Sequence, residues 1–316
     1  MRIAASTAVR DMKRRKRKSI NSKAVTALVI IIIAVLSVVF TRLGGTVDKP
    51  NSDNVTKITE TNTADKMTVS FIDVGQGNCT LLTCGGKAIL VDSGEVGAAQ
   101  TVIGYIKNLN IDTLDCVLVT HPHSDHMGAM IKLLYEFKIK DFIMPEIPEK
   151  IIPTSKTYEK FLTAVSDNAE NVIAAEPGAT YSYGEMTMEI FAPLRDYDDL
   201  NDMSAVTRVS YGDTSVMFTG DATTTVEKDL LKKNIDYSAT ILNVGHHGSK
   251  TSSSEKWLKA VDPKYAVICC GLNNDYGHPH AVVTKRLESM GIEYYRTDLL
   301  GTIVFESNSK EFTKCD

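Results

Sequence analysis

The seven histidines of this chain fall into three short clusters. The first is His121-Pro122-His123-Ser124-Asp125-His126. The second is Gly245-His246-His247-Gly248-Ser249, and the third is Gly277-His278-Pro279-His280. Imidazole and carboxylate groups gathered in this way hold a divalent ion, and an ion with an open position ionises a bound water near neutral pH. Within the first cluster, alternation sets His121 and His123 to one side, suited to one ion. Asp125 and His126 turn to a neighbouring position, suited to a second. The chemistry implied is metal-assisted hydrolysis: a water loses a proton, attacks phosphorus or a carbonyl carbon, and the ions stabilise the developing charge.

Such groups must be held by rigid elements. Short apolar runs bounded by Gly-rich turns predict strands over Met67–Val74, Cys79–Thr83 and Lys87–Val91. A helix is predicted over Ala98–Leu109, a strand over Cys116–Thr120 and a helix over Met127–Phe137. A strand near Phe142 and a helix near Tyr158–Val165 lead into turns up to residue 184. Strands follow at Met186–Phe191, Ala205–Tyr211 and Thr214–Thr219, then helices and strands alternate to Glu306. Strands in runs first, alternating with helices later, predict an α/β domain of two mixed sheets packed face to face with helices outside, in four layers. Each histidine cluster comes after a predicted strand, where polar residues converge at one edge while the strands hold them rigid.

The N-terminal part reads differently. Residues 13–18 are all Lys or Arg, and residues 24–40 carry no charge. At ~1.5 Å per residue the apolar run spans about 25 Å, enough for a slightly thinned bilayer core. The segment is therefore expected to be an uncleaved transmembrane signal anchor over 24–41, preceded by a basic cytoplasmic tail over 1–23. A polar, flexible linker over 42–65 would follow, with the hydrolase domain at 66–316 outside the cell membrane. The first 50 residues hold 11 Lys and Arg against 2 Asp and Glu, which leaves 24 basic and 37 acidic residues beyond them, a formal net of −13. An acidic domain does not hold polyanions through its average field. The six cysteines, at 79, 84, 116, 269, 270 and 315, lack zinc-finger spacing and are read as small buried hydrophobes.

The spacing His-x-His-x-Asp-His resembles the signature of the metallo-β-lactamase fold superfamily. Phe71-Ile72-Asp73-Val74-Gly75-Gln76-Gly77, Thr219-Gly220-Asp221-Ala222, His246-His247-Gly248-Ser249 and Asn274-Asp275-Tyr276-Gly277-His278-Pro279 narrow this to the hydrolase domain of ComEC-type competence proteins. The resemblance implies an αββα sandwich with one or two divalent ions, Zn²⁺ or Mn²⁺, at one edge. It implies that His121, His123, Asp125 and His126 are ligands, joined by Asp221 as a bridge and by one of the histidine pair. Asp73 is expected to orient a ligating histidine or a loop beside the site. Asp92, before Ser93-Gly94, has either a similar role or a turn role.

This sequence departs from the superfamily in having no histidine between positions 127 and 245. Asn201-x-x-Ser204 fits the ComEC-like pattern there, which leaves the first ion position short of a ligand. Asn78 stands where relatives carry an acid. Of His246 and His247, one is expected to ligate, with His247 taken as that ligand, and the other to meet substrate or act as a general acid. His278 and His280 are placed to meet substrate or protonate a leaving group. Ser249 and Ser252–Ser254 either hydrogen-bond a phosphate or cap the next helix, and Tyr276 either stacks on a base or ring or packs. The expected activity is that of a phosphodiesterase or nuclease outside the membrane, linked to DNA uptake, with single-stranded DNA among its substrates; the sequence does not identify protein partners. The rivals are hydrolysis of an ester, lactone or phosphocholine-type substrate, and a non-catalytic metal-binding surface protein.

Overall fold

The computed structural model describes residues 66–315. The expected basic tail, anchor and linker lie outside the described residues, and among the described residues no helix is long and apolar enough to cross a membrane.

In chain order the described elements begin with β1 (Met67–Phe71), β2 (Thr80–Cys84), β3 (Lys87–Val91), α1 (Ala99–Asn108), β4 (Thr113–Leu118), α2 (Ser124–Met127), α3 (Met130–Glu136) and β5 (Lys138–Met144). Then come α4 (Lys156–Asn168), β6 (Ala169–Ala174), β7 (Thr180–Tyr183), β8 (Met186–Ile190), β9 (Thr207–Tyr211) and β10 (Thr214–Phe218). The second half holds α5 (Thr224–Leu231), β11 (Ile241–Asn243), α6 (Glu255–Val261), β12 (Tyr265–Ile268), α7 (Ala281–Ser289), β13 (Glu293–Arg296), α8 (Thr297–Leu300), β14 (Ile303–Ser307) and β15 (Phe312–Lys314).

These strands make an eight-stranded sheet, β15-β14-β1-β2-β3-β4-β5-β6, and a seven-stranded sheet, β13-β12-β11-β10-β9-β8-β7. Hairpin-connected strands pair antiparallel, whereas β3 to β6 and β10 to β13 pair parallel across helical crossovers. Alternation within a strand sends its side chains to two cores. Val117 of β4 joins α1, α3 and α4 on the outer face, while its neighbours Cys116 and Leu118 meet the second sheet through Met186, Met188 and Val216. A third core packs α5, α6 and α7 on the second sheet around Trp257, Leu258 and Leu287. Three cores between four layers give the expected αββα sandwich. Five of the six cysteines are buried, as expected of small hydrophobes.

The expectation of turns after the helix near Tyr158 is corrected: β6 and β7 lie there. Each is the edge strand of its sheet, and most of their residues are exposed or half-buried. An edge strand that buries little carries no apolar alternation for sequence to show. The helix expected over Met127–Phe137 is two pieces, and the first begins inside the histidine motif at Ser124.

The parallel register decides where the chemistry sits. β1, β3 and β4 end at the same edge of the first sheet, as β10, β11 and β12 do in the second. Ligands of α/β sheets bind outside such carboxyl ends. The three histidine clusters, Asp92 and Asp221 all follow these ends.

Candidate metal centre

Past β4 the chain carries Thr120 and His121, and His123 is the residue before α2. Asp125 and His126 lie in the first turn of α2. Asp221 follows β10 and the histidine pair follows β11. His121, His126, Asp221 and His247 are all almost completely buried.

Ligand atoms of Asp125, His126, Asp221 and His247 all lie within 4.8 Å of one another, and those of His121, His123 and Asp221 form a second such group. Asp221 belongs to both, with one oxygen for each. Its Oδ1 is 3.1 Å from His126 Nε2 and 3.6 Å from His247 Nε2. Its Oδ2 is 3.8 Å from His121 Nε2 and 3.5 Å from His246 Nε2. Asp125 Oδ2 closes the first group at 3.0 Å from His247 Nε2. In the second, His121 Nε2 and His123 Nδ1 stand 3.0 Å apart.

The residues fit a cation. His126 Nε2, His247 Nε2 and Asp221 Oδ1 are buried, converge on one point, and make no hydrogen bond. Buried polar atoms are normally satisfied, so three orphans at one point mark a place for an ion. The imidazole protons are directed away from it. His126 Nδ1 donates to Asp92 Oδ2 at 2.8 Å, and His247 Nδ1 donates to the Cys269 carbonyl at 2.9 Å. Each bond leaves the Nε2 lone pair facing the centre.

The electrostatics point the same way. Burial alone would raise the Asp221 carboxyl, but His126 and His247 hold it well below the usual carboxylate range. Asp125 behaves likewise: burial pushes it up and His126 and His247 pull it far down. Burial would lower His126, yet Asp221 and Asp92 raise it well above the usual imidazole range. This cluster of carboxylates demands positive charge, which a divalent ion supplies in place of protons.

The carboxylate that orients His126 is Asp92. It also accepts from Thr120 N at 2.7 Å and Thr120 Oγ1 at 2.8 Å, and it holds a left-handed φ of 58°. Asp73 acts locally instead: its Oδ1 accepts from Gly75 N at 3.0 Å and shapes the Gly-Gln-Gly turn. Asp92→Asn keeps the size and tolerates the left-handed backbone but loses the charge. Metal affinity of this variant, measured by competition with a chromogenic chelator, is expected to fall about tenfold.

The remaining motif residues are also placed. Ser204 Oγ accepts from Asp221 N at 3.0 Å and so fixes the bridging carboxylate, while Asn201 Oδ1 is buried without a partner. Asn78 Nδ2 donates to Asn243 Oδ1 at 3.3 Å, joining the ends of the two sheets. Ser249 Oγ accepts from Thr251 and braces its own loop, and His280 Nδ1 accepts from Lys250 N at 3.2 Å. His246 and His247 both adopt left-handed φ, 52° and 53°, strain that marks a functional turn. The His246 ring turns one nitrogen to Thr251 Oγ1 at 3.2 Å and the other toward Asp221. His278 stacks on His247, with ring centroids 6.1 Å apart. Burial pushes its imidazole down to about 4, so it is neutral at pH 7, and its Nδ1 is buried with no partner.

A fold of two sheets with helices on both sides, holding His and Asp ligands at one sheet edge, defines a metal-dependent hydrolase. The chain belongs to the metallo-beta-lactamase superfamily, whose family model matches residues 72–272. It is similar to the ComEC-type competence proteins. It is 32% identical to competence protein ComA of Neisseria gonorrhoeae over 75% of this chain and 32% of that protein. A shorter stretch, 38% of this chain and 42% of the relative, is 28% identical to exodeoxyribonuclease WalJ of Streptococcus pneumoniae. The chain spans about a third of the length of the curated relatives it matches over most of its own length. Among solved structures, the metallo-beta-lactamase fold protein YhfI of Bacillus subtilis shares the fold, with a TM-score of 0.52, 16% identity, and coverage of 77% of this chain and 100% of that one.

Proposed function

We propose that this chain is a metal-dependent phosphodiesterase acting on nucleic acid, held at the outer face of the cell membrane by an anchor at residues 24–41 and linked to DNA uptake. The observation that carries the reading is Asp221, which offers one oxygen to each of two adjacent ligand groups. Two cation positions sharing a carboxylate suit in-line displacement at phosphorus, where both attacking and leaving oxygens need charge stabilisation. The names of two relatives, a competence protein and an exodeoxyribonuclease, support the substrate class.

Asp125, His126, Asp221 and His247 would hold one Zn²⁺ or Mn²⁺, and His121, His123 and Asp221 a second. Bound there, the ions supply Lewis-acid polarisation of the phosphoryl oxygen and an acidified water. The protein positions the rest. Asp125 is the ligand-group carboxylate with the most exposure, at 19%, and it stays ionised to accept a hydrogen bond from incoming water. His246, 22% exposed beside Asp221, faces the substrate side, and neutral His278 offers a hydrogen bond at Nδ1.

The direct test is hydrolysis of bis-p-nitrophenyl phosphate by the full chain with Mn²⁺ or Zn²⁺. Turnover that appears with metal and disappears on chelation is expected. No turnover with either ion, in protein shown to bind it, refutes the phosphodiesterase reading.

A further inference from the structure

Beyond the histidine pair, the loop from Gly271 to His280 carries Tyr276, which belongs to neither ligand group. Tyr276 is 65% exposed, although its ring lies parallel to that of His278, with centroids 5.6 Å apart and 19° between planes. His278 continues the series onto His247 at 28°. Three near-parallel rings thus step from solvent to the metal centre. The loop that sets this geometry is rigid. Asn274 Nδ2 donates to the carbonyls of Gly271 and His278 at 2.8 and 2.6 Å, and its Oδ1 accepts from His278 N at 2.9 Å. Gly271 N in turn donates to Gln76 Oε1 at 3.1 Å, tying the loop to the Gly-Gln-Gly turn. Leu272, 66% exposed, lies on the same loop. Tyr276 is thus held against His278 while most of its ring stays open to solvent, where a planar ligand can reach it.

We propose that Tyr276 is a stacking ledge for the nucleobase of the nucleotide next to the scissile phosphate. The inference rests on the phosphodiesterase reading and names the substrate group that the site selects. A planar base extends the series of parallel rings. Stacking also answers the charge problem: beyond residue 50 the chain has a formal net of −13, so a polyanion must be captured by contacts that do not depend on the average field. Base–aromatic stacking is such a contact and is indifferent to sequence.

The test uses full-chain wild type, Tyr276→Phe and Tyr276→Ala, each with Mn²⁺. The substrates are the p-nitrophenyl phosphodiesters of thymidine (5′-linked), methanol and choline, and a short phosphorothioate oligothymidylate is titrated for binding. The alanine variant is expected to raise KM for the thymidine ester about tenfold relative to KM for the methyl ester, with the phenylalanine variant near wild type. It is also expected to weaken oligothymidylate binding by a similar factor. Hydrolysis of all esters with no such relative change overturns the ledge and leaves the phosphodiesterase reading standing. A Tyr276 dependence confined to the choline ester also overturns it, assigning the ring to a quaternary ammonium. If no ester is hydrolysed while oligothymidylate binding still depends on Tyr276, the phosphodiesterase reading falls and takes with it the place beside a scissile phosphate, leaving Tyr276 a base-binding contact only.

Discussion

Asp221→Ala is expected to lower phosphodiester turnover by on the order of 10³ and to reduce the bound metal from two ions to at most one. The size follows from what the side chain does. A metal ion contributes several kcal/mol of transition-state stabilisation, and each 1.36 kcal/mol is tenfold in rate, so about 4 kcal/mol is on the order of 10³. The two ligand groups share this carboxylate and nothing else. Without it the His121–His123 group keeps only its two imidazoles, too few to hold an ion. The group of Asp125, His126 and His247 keeps three ligands and is expected to bind more weakly. Stoichiometry by elemental analysis and turnover on bis-p-nitrophenyl phosphate read both effects. The backbone bond from Asp221 N to Ser204 Oγ does not involve the carboxylate, so the turn itself should persist. Two ions retained, with turnover within tenfold of wild type, would show that the ions do not share Asp221.

The ligand types of this centre are plain in the sequence because few other side chains hold a divalent ion, and the first cluster compresses four of them into six residues. The strands that carry them are equally plain, since β12 and the second half of β4, Cys116–Leu118, are largely buried on both faces and read as apolar runs. Asp92 is different. Its role depends on β3 pairing parallel with β4, Val91 opposite Leu118, which brings Asp92, one residue on, into contact with Thr120, two residues on. A register between segments 28 positions apart leaves no local trace. Similarly, the choice between His246 and His247 rests on a bond to the Cys269 carbonyl just beyond β12, and two adjacent histidines in one sequence do not reveal it. Asp73 shows the converse: a carboxylate beside a glycine turn is used locally, on Gly75 N.

Gly77→Ala is expected to be the most destabilising single-methyl change at this edge, with Gly75→Ala as its control. Gly75 has φ +73° and a Cβ there meets nothing within 4 Å, so alanine costs only the left-handed backbone, roughly 1–2 kcal/mol. Gly77 has φ +132°, outside the range most residues tolerate, and its Cβ would stand 2.3 Å from the Asp125 carbonyl oxygen. That oxygen accepts from Asn78 N at 3.1 Å, so the turn and the metal-binding helix are joined backbone to backbone with no slack. Backbone strain and overpacking each cost about 1–3 kcal/mol, and here they act together. A loss of about 4 kcal/mol lowers Tm by roughly 8–16 °C in a domain of this size. The clash also displaces Asp125, so metal affinity should fall in the folded fraction of Gly77→Ala but not in Gly75→Ala. Thermal melts of the two variants with and without Mn²⁺ separate the effects. Equal melting temperatures for the two would mean that the Gly-Gln-Gly turn yields freely, and that its closeness to Asp125 does not support the site.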